Sequence, residues 1–223
     1  TFISTNNFRW GNFESFSYTD PRSNSGRSTN GSLSDYTYRN LSRFTNQMLK
    51  YAHVFNDDHS VNVLAGYEYS DGSSKTLDVR SENILVNGEV QSVGIKPAAV
   101  DGNASEFAQQ SFLFSADYDY KGLYFVKGSL RIDGASAFDK DYRYGEFYSI
   151  AAGWNIHKEN FFKVKEINTL KLRASHGSVG NQPGGYGYLD LYDVRFQYAG
   201  IIAAKPSQLG TENLTWEKAI ETN

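Results

Sequence analysis

The chain has no cysteine, four prolines and a single methionine in 223 residues. Without cysteine it can hold no disulfide, thiolate metal site or cysteine nucleophile. It also lacks any apolar run approaching the roughly 18 residues of a membrane helix. Charge of one sign is scarce too: the net charge is −3. A general nucleic-acid binder needs a basic surface, so no nucleic-acid partner is expected. None of these absences touches a membrane β-barrel. Such a barrel hides its lipid-facing residues at every second position, so a mean hydropathy of −0.53 is no obstacle to one.

Tyrosine and phenylalanine are plentiful, with 16 and 15 copies, and they sit in alternating segments. Helical periodicity is rare, while period-2 alternation recurs over lengths near the roughly 9–11 residues of a tilted membrane strand. In 112–120, Phe112, Phe114, Ala116, Tyr118 and Tyr120 oppose Leu113, Ser115, Asp117 and Asp119. In 123–132, Tyr124, Val126, Gly128, Leu130 and Ile132 oppose Leu123, Phe125, Lys127, Ser129 and Arg131. In 146–156, Tyr148, Ile150, Ala152, Trp154 and Ile156 share a face. Similar segments run over 60–68 and 169–178; 2–18 and 36–55 alternate less cleanly, and 215–223 begins another. About eight strands are therefore expected. The fold class is all-β, an antiparallel up-and-down meander forming part of a large transmembrane outer-membrane β-barrel.

Register and loop length support the meander. A two-residue turn at Lys121-Gly122 would mismatch both faces, so a three-residue loop or bulge is expected, pairing Tyr120 with Tyr124 and Asp117 with Lys127. The turns at 56–58 and 121–122 are tight, and 157–168 is intermediate with room for a helical turn. The stretches 19–35, 70–111, 133–145 and 179–214 are long and rich in Gly, Ser, Asn and Asp. Short turns at one end and long loops at the other are the pattern of outer-membrane barrels, whose long loops are extracellular. Alternation then makes Tyr124, Val126, Leu130, Ile150 and Trp154 lipid-facing, and Asp117, Asp119, Lys127 and Arg131 lumen-facing. Aromatics cluster at both strand ends, as the girdles of such barrels do.

From Ser129 onward the chain resembles the barrel of SusC/RagA-type TonB-dependent receptors. The resemblance rests on Arg131-Ile132-Asp133-Gly134-Ala135-Ser136-Ala137-Phe138, then Arg143-Tyr144-Gly145-Glu146-Phe147-Tyr148-Ser149 and Gly153-Trp154-Asn155-Ile156. Leu170-Lys171-Leu172-Arg173-Ala174-Ser175, Gly180-Asn181-Gln182 and Leu214-Thr215-Trp216-Glu217-Lys218 follow in order. Ala135, Ala137, Tyr148 and His176 depart from the residues common in that family, without breaking the alternation. The resemblance implies a barrel of about twenty-two strands, an N-terminal plug, a SusD-like surface lipoprotein as lid, and TonB as the source of energy. It implies import of oligosaccharides or peptides across the outer membrane of a Bacteroidetes-like Gram-negative bacterium. Residues 1–223 would then be a partial barrel domain, with the plug and the remaining strands outside this stretch.

Catalytic chemistry is not legible. The histidines at 53, 59, 157 and 176 form no HExxH or i,i+4 pair. No nucleophile motif joins Ser, His and Asp, and Gly184-Gly185-Tyr186-Gly187 lacks the strand-to-helix setting of a phosphate loop. No enzyme, cofactor or metal site is expected. Tyr142, Tyr144, Tyr186 and Tyr188 are the loop residues singled out for substrate or lid contact. A passive porin, an adhesin barrel and a soluble carbohydrate-binding β-sandwich remain as alternatives.

Overall fold

The computed structural model describes residues 1–84, 96–164, 166–198 and 200–223. The strands are β1 (Phe2–Thr19), β2 (Ser32–Phe55), β3 (His59–Glu82), β4 (Lys96–Tyr120), β5 (Tyr124–Ala135), β6 (Tyr144–Trp154), β7 (Leu172–Asn181), β8 (Leu191–Tyr198), β9 (Ile201–Gln208) and β10 (Glu217–Thr222). One 3-10 turn, Ile156–Lys158, follows β6. Eight strands form one sheet in the order β1-β2-β3-β4-β5-β6-β7-β10, and β8 pairs with β9 separately. Consecutive strands lie side by side through most of the larger sheet, as a meander requires. A sandwich would divide them between two packed sheets.

The central hairpin has the register that its two faces demand. Tyr120 stands opposite Tyr124, Asp117 opposite Lys127, and Phe112 opposite Ile132. Lys121 and Gly122 both take positive φ, 55° and 64°, a turn conformation natural to glycine and strained for lysine. Partners hold Lys121 there. Its backbone N–H donates to the Asp58 carbonyl at 2.7 Å, and its Nζ lies 3.1 Å from Asp58 Oδ2. The same carboxylate, with Tyr120 adding to it, holds the Lys121 ammonium above its usual range. The Asn155 side chain donates to the Gly122 carbonyl at 2.7 Å. Neighbouring short turns are thereby tied together.

Several boundaries depart from the sequence expectations. β7 runs over Leu172–Asn181 rather than 169–178, and Ile156 belongs to the 3-10 turn instead of β6. The expected long loop 70–111 is largely strand, because β3 continues to Glu82 and β4 begins at Lys96; positions 85–95 lie outside the described residues. Both faces are polar over 70–76 and 101–106 apart from Ala104, so alternation carries no signal there, and the short apolar alternation of Leu77 and Val79 stands alone. The ladder is held by backbone pairing and by contacts such as the Asn103 N–H donating to Thr76 Oγ1 at 3.1 Å. The expected loop 179–214 contains the β8–β9 hairpin, with Gly200 at φ +80° between the strands. Its signal was present: β-forming residues on either side of a glycine turn.

The chain divides into two compact units, one holding 1–6, 45–70 and 108–223, the other 7–44 and 71–107. The core of the first is Ala135, Phe138, Phe147 and Trp216, with Leu214 packed against it. Rings of Phe138 and Phe147 sit 5.2 and 5.5 Å from that of Trp216. The Trp216 indole N–H donates to the Arg143 carbonyl at 2.9 Å. In the second unit Leu33, Ile84 and Ser81 are buried.

Candidate functional site

Register sorts the side chains of β4–β7 into two faces of opposite chemistry. On one, Tyr118, Val126, Ala152 and Ala174 lie in one row, and Tyr120, Tyr124, Trp154 and Leu172 in the next. On the other, Asp117, Lys127, Ala151 and Ser175 line up, as do Ser115, Ser129, Ser149 and Gly177. The apolar face is open: Val126, Leu130 and Ile150 are 46%, 44% and 55% exposed. The polar face is open in mid-sheet too, at Lys127, and closes toward Ser111 and Asp133. A water-soluble sheet covers its apolar face.

The apolar face ends in an aromatic rim beside the short turns. Tyr120, Tyr124 and Trp154 stack in sequence at 6.5 and 6.1 Å, and Phe161 meets Trp154 edge-on at 6.2 Å. Glu159 fixes two of these rings, accepting from Tyr124 Oη at 2.6 Å and Trp154 Nε1 at 2.9 Å. Rings with one apolar and one polar end suit the boundary between hydrocarbon and water. Sequence reasoning placed the aromatics but missed Glu159 as their common acceptor.

On the polar face, charges pair across strands and within one. Lys127 Nζ lies 3.3 Å from Asp117 Oδ1. Arg131 donates through Nε to both oxygens of Asp133, at 2.7 and 2.8 Å, and through a terminal nitrogen to Ser111 Oγ at 3.0 Å. Glu68 stands 3.7 Å from the same guanidinium and accepts from the Asn46 amide at 3.1 Å. This network joins β2, β3, β4 and β5. Asp119, expected beside Asp117 and Lys127, instead turns back to accept the Gly122 N–H at 2.6 Å. Asn46, Glu68, Ser111 and Asp133 complete the Arg131 site, and only the register of four strands reveals them.

The four tyrosines do not form one cluster. Tyr142 is exposed. Tyr144, the first residue of β6, lies over Gly134 and meets the Gln110 amide through its hydroxyl. Tyr186 and Tyr188 meet edge-on at 6.3 Å, and the Tyr186 hydroxyl lies 3.3 Å from Ser136 Oγ. A shallow cavity of about 180 Å³ is lined by Tyr69, Gln110, Ser136, Arg143 and, of the four tyrosines, Tyr144. Tyr69 and Arg143 were not anticipated there.

No protein-family model matches the chain. It is 35% identical over 182 residues to the TonB-dependent receptor P39 of Formosa agariphila, which covers 78% of this chain and 17% of that protein. It is 37% identical over 123 residues to the TonB-dependent receptor SusC of Bacteroides thetaiotaomicron, covering 51% of this chain and 12% of that one. Among solved structures, the RagAB peptide transporter aligns with 99% of this chain and 25% of its own, at a TM-score of 0.84 and 22% identity. The RagAB peptide importer in its "open-open" state aligns at 0.83 and 21% identity. At those identities the structures share the fold. The chain spans a fifth or less of the length of the curated relatives it matches.

Proposed function

We propose that this chain, a SusC/RagA-like TonB-dependent receptor segment, forms part of the wall of a β-barrel in the outer membrane of a Gram-negative, Bacteroidetes-like bacterium. The barrel imports nutrient molecules. The observation that carries this reading is the reversal of face polarity. Tyr124, Val126, Leu130, Ile150 and Trp154 face lipid, with the Tyr124–Trp154 rim at the headgroup level of the periplasmic leaflet. Lys127, Arg131 and Asp117 face the aqueous lumen, while Asp119 caps a periplasmic turn. The connection 155–171 with its 3-10 turn and the 56–58 and 121–123 turns are then periplasmic, and the connections 20–31, 136–143 and 182–216 extracellular.

TonB and a SusD-like lipoprotein are the partners that this reading brings. The cargo is an oligosaccharide or a peptide. The name of the structural neighbour, a peptide transporter, supports the peptide; the oligosaccharide rests on the resemblance to SusC/RagA-type receptors alone. Tyr142, Tyr144, Tyr186 and Tyr188 belong to the extracellular side, where they meet cargo or lid.

Sidedness is open to a direct test. Gly185 sits between β7 and β8 at φ +75°, with nothing within 4 Å of the position a Cβ would take. An epitope inserted there in the full-length receptor should label intact cells. Gly102 is unsuitable, because it lies within β4 against the Thr76 carbonyl. Labelling at 185 only after the outer membrane is permeabilised would reverse the orientation.

A further inference from the structure

We propose that the extracellular rim of the lipid-facing side carries a site for the phosphate of an outer-leaflet lipid, built from Arg143, Tyr69, Tyr144 and Ser136. The proposal rests on the reading of that side as lipid-facing, and it names what the rim binds. Register sets Gln110, Gly134 and Tyr144 in one row of this side, directly beyond the row of Phe112, Ile132 and Glu146. From Tyr124 to Gly134, β5 rises roughly 33 Å at about 3.3 Å per residue. Strands of such barrels tilt by ~40°, which leaves roughly 25 Å of height, that of the apolar band. The row therefore stands at the headgroup level of the outer leaflet. A cavity of about 180 Å³ lies there, lined by Tyr69, Gln110, Gly134, Ser136, Arg143 and Tyr144. It has room for a phosphate and little more. The side of a barrel wall that meets lipid is turned away from the other strands, so completing the barrel adds nothing to this row.

Arg143 supplies the charge. It directly precedes β6, and its Nε is buried without a hydrogen-bond partner among the described residues. None of the ion pairs among those residues includes it. Glu146, one row nearer the membrane centre, does not line the cavity. A buried cationic N–H without an acceptor is costly, and an incoming anion relieves that cost through charge-assisted hydrogen bonds. Hydroxyls complete the set. Tyr144 Oη accepts from the Gln110 amide, which leaves its own O–H to donate. Tyr69 and Ser136 bring two more, Ser136 Oγ accepting the Ala108 N–H at 2.9 Å. A phosphate has the oxygens to meet a guanidinium fork and several hydroxyls at once, where a carboxylate has only two. Because the row faces lipid, the phosphate belongs to a lipid headgroup and not to a solute in the lumen. Register thereby moves Tyr144 from cargo to the membrane side.

The test uses the purified full-length receptor in a neutral maltoside detergent, titrated with dioleoyl phosphatidate or dioleoylglycerol and read by native mass spectrometry. Wild type should bind phosphatidate roughly tenfold or more tightly than dioleoylglycerol. Arg143→Gln should lose that advantage. Lys140→Gln, in the same connection, should keep it, since Lys140 is exposed and pairs with Asp141 at 3.5 Å. Equal binding of the two lipids, full preference in Arg143→Gln, or an equal loss in Lys140→Gln overturns the site. Should Arg143→Gln fail to assemble, phosphatidate must slow modification of Arg143 in wild type by phenylglyoxal, followed by peptide mapping; an unchanged rate counts against the proposal. Inorganic phosphate that protects Arg143 as well as phosphatidate does would make the occupant a solute and overturn the lipid assignment. A fluorophore at Ile132→Cys separates the two readings after reconstitution. Quenching by spin-labelled lipid without a preference for phosphatidate removes the site alone, and no quenching removes the lipid-facing reading and the site with it.

Discussion

Replacing Leu130 by arginine in the full-length receptor should lower its stability in lipid vesicles by about 2–4 kcal/mol, the cost of a cation near the middle of the hydrocarbon. Leu130 stands between Phe114 and Tyr148 on the exposed apolar face. Val126→Arg should cost less. Val126 is one outward position from Tyr124 and its rim, where the penalty falls toward about 0–1 kcal/mol. Ser129→Arg should unfold near the wild-type midpoint. Ser115, Ser129 and Ser149 stand side by side on the polar face, with the Ser129 and Ser149 hydroxyls 2.7 Å apart, so a long side chain there has small neighbours and water. Urea titration in vesicles ranks the three. The expected order of damage is Leu130, Val126, Ser129. Damage at Ser129 equal to that at Leu130 would mean that the faces are exchanged.

Trp216→Ala should be at least as destabilising locally, by about 3–5 kcal/mol. The indole is 8% exposed, packs on Phe138 and Phe147, and bonds the Arg143 carbonyl. Removing it opens a cavity in the only apolar core described for its unit and leaves that carbonyl without this donor. Trp216→Phe keeps much of the ring packing and loses the hydrogen bond, so it should cost only about 0.5–1.5 kcal/mol from that bond, plus a packing term. Limited proteolysis of the receptor in vesicles should cut the alanine variant within 136–143 or 209–216 well before wild type. Equal resistance would mean that this cluster does not hold those segments.

The parts of the fold that alternation governs were legible in the sequence. Tyr120 opposite Tyr124 and Asp117 opposite Lys127 follow from keeping two faces matched, and the register has both pairs. The extensions of β3 and β4 were not legible, because residues such as Ser73, Ser74 and Lys75 are polar on either side of the strand and resemble a loop in composition. The Arg131 network was half legible. Asp133 is two residues away in the same strand, whereas Glu68 and Asn46 become neighbours only once β2–β5 are aligned. Phe125 over Gly153 belongs to the same class: an aromatic and a glycine each look ordinary until register puts one in the space left by the other. The tyrosines of the connections were chosen by residue type alone. Type does not fix partners, which is why Tyr144 has Gln110 beside it and Tyr142 remains exposed.

The central claim is that one face of this sheet meets lipid and the other meets water. Single cysteines placed at each position from Val126 to Ile132 of the full-length receptor test it most directly, since the 223 residues contribute no cysteine of their own. After reconstitution, a water-soluble maleimide should label positions 127, 129 and 131. Fluorophores attached at 126, 128, 130 and 132 before reconstitution should be quenched by spin-labelled lipid. The predicted result is strict alternation between the two signals along the strand. Labelling and quenching without alternation, or with the two sets exchanged, would contradict the account.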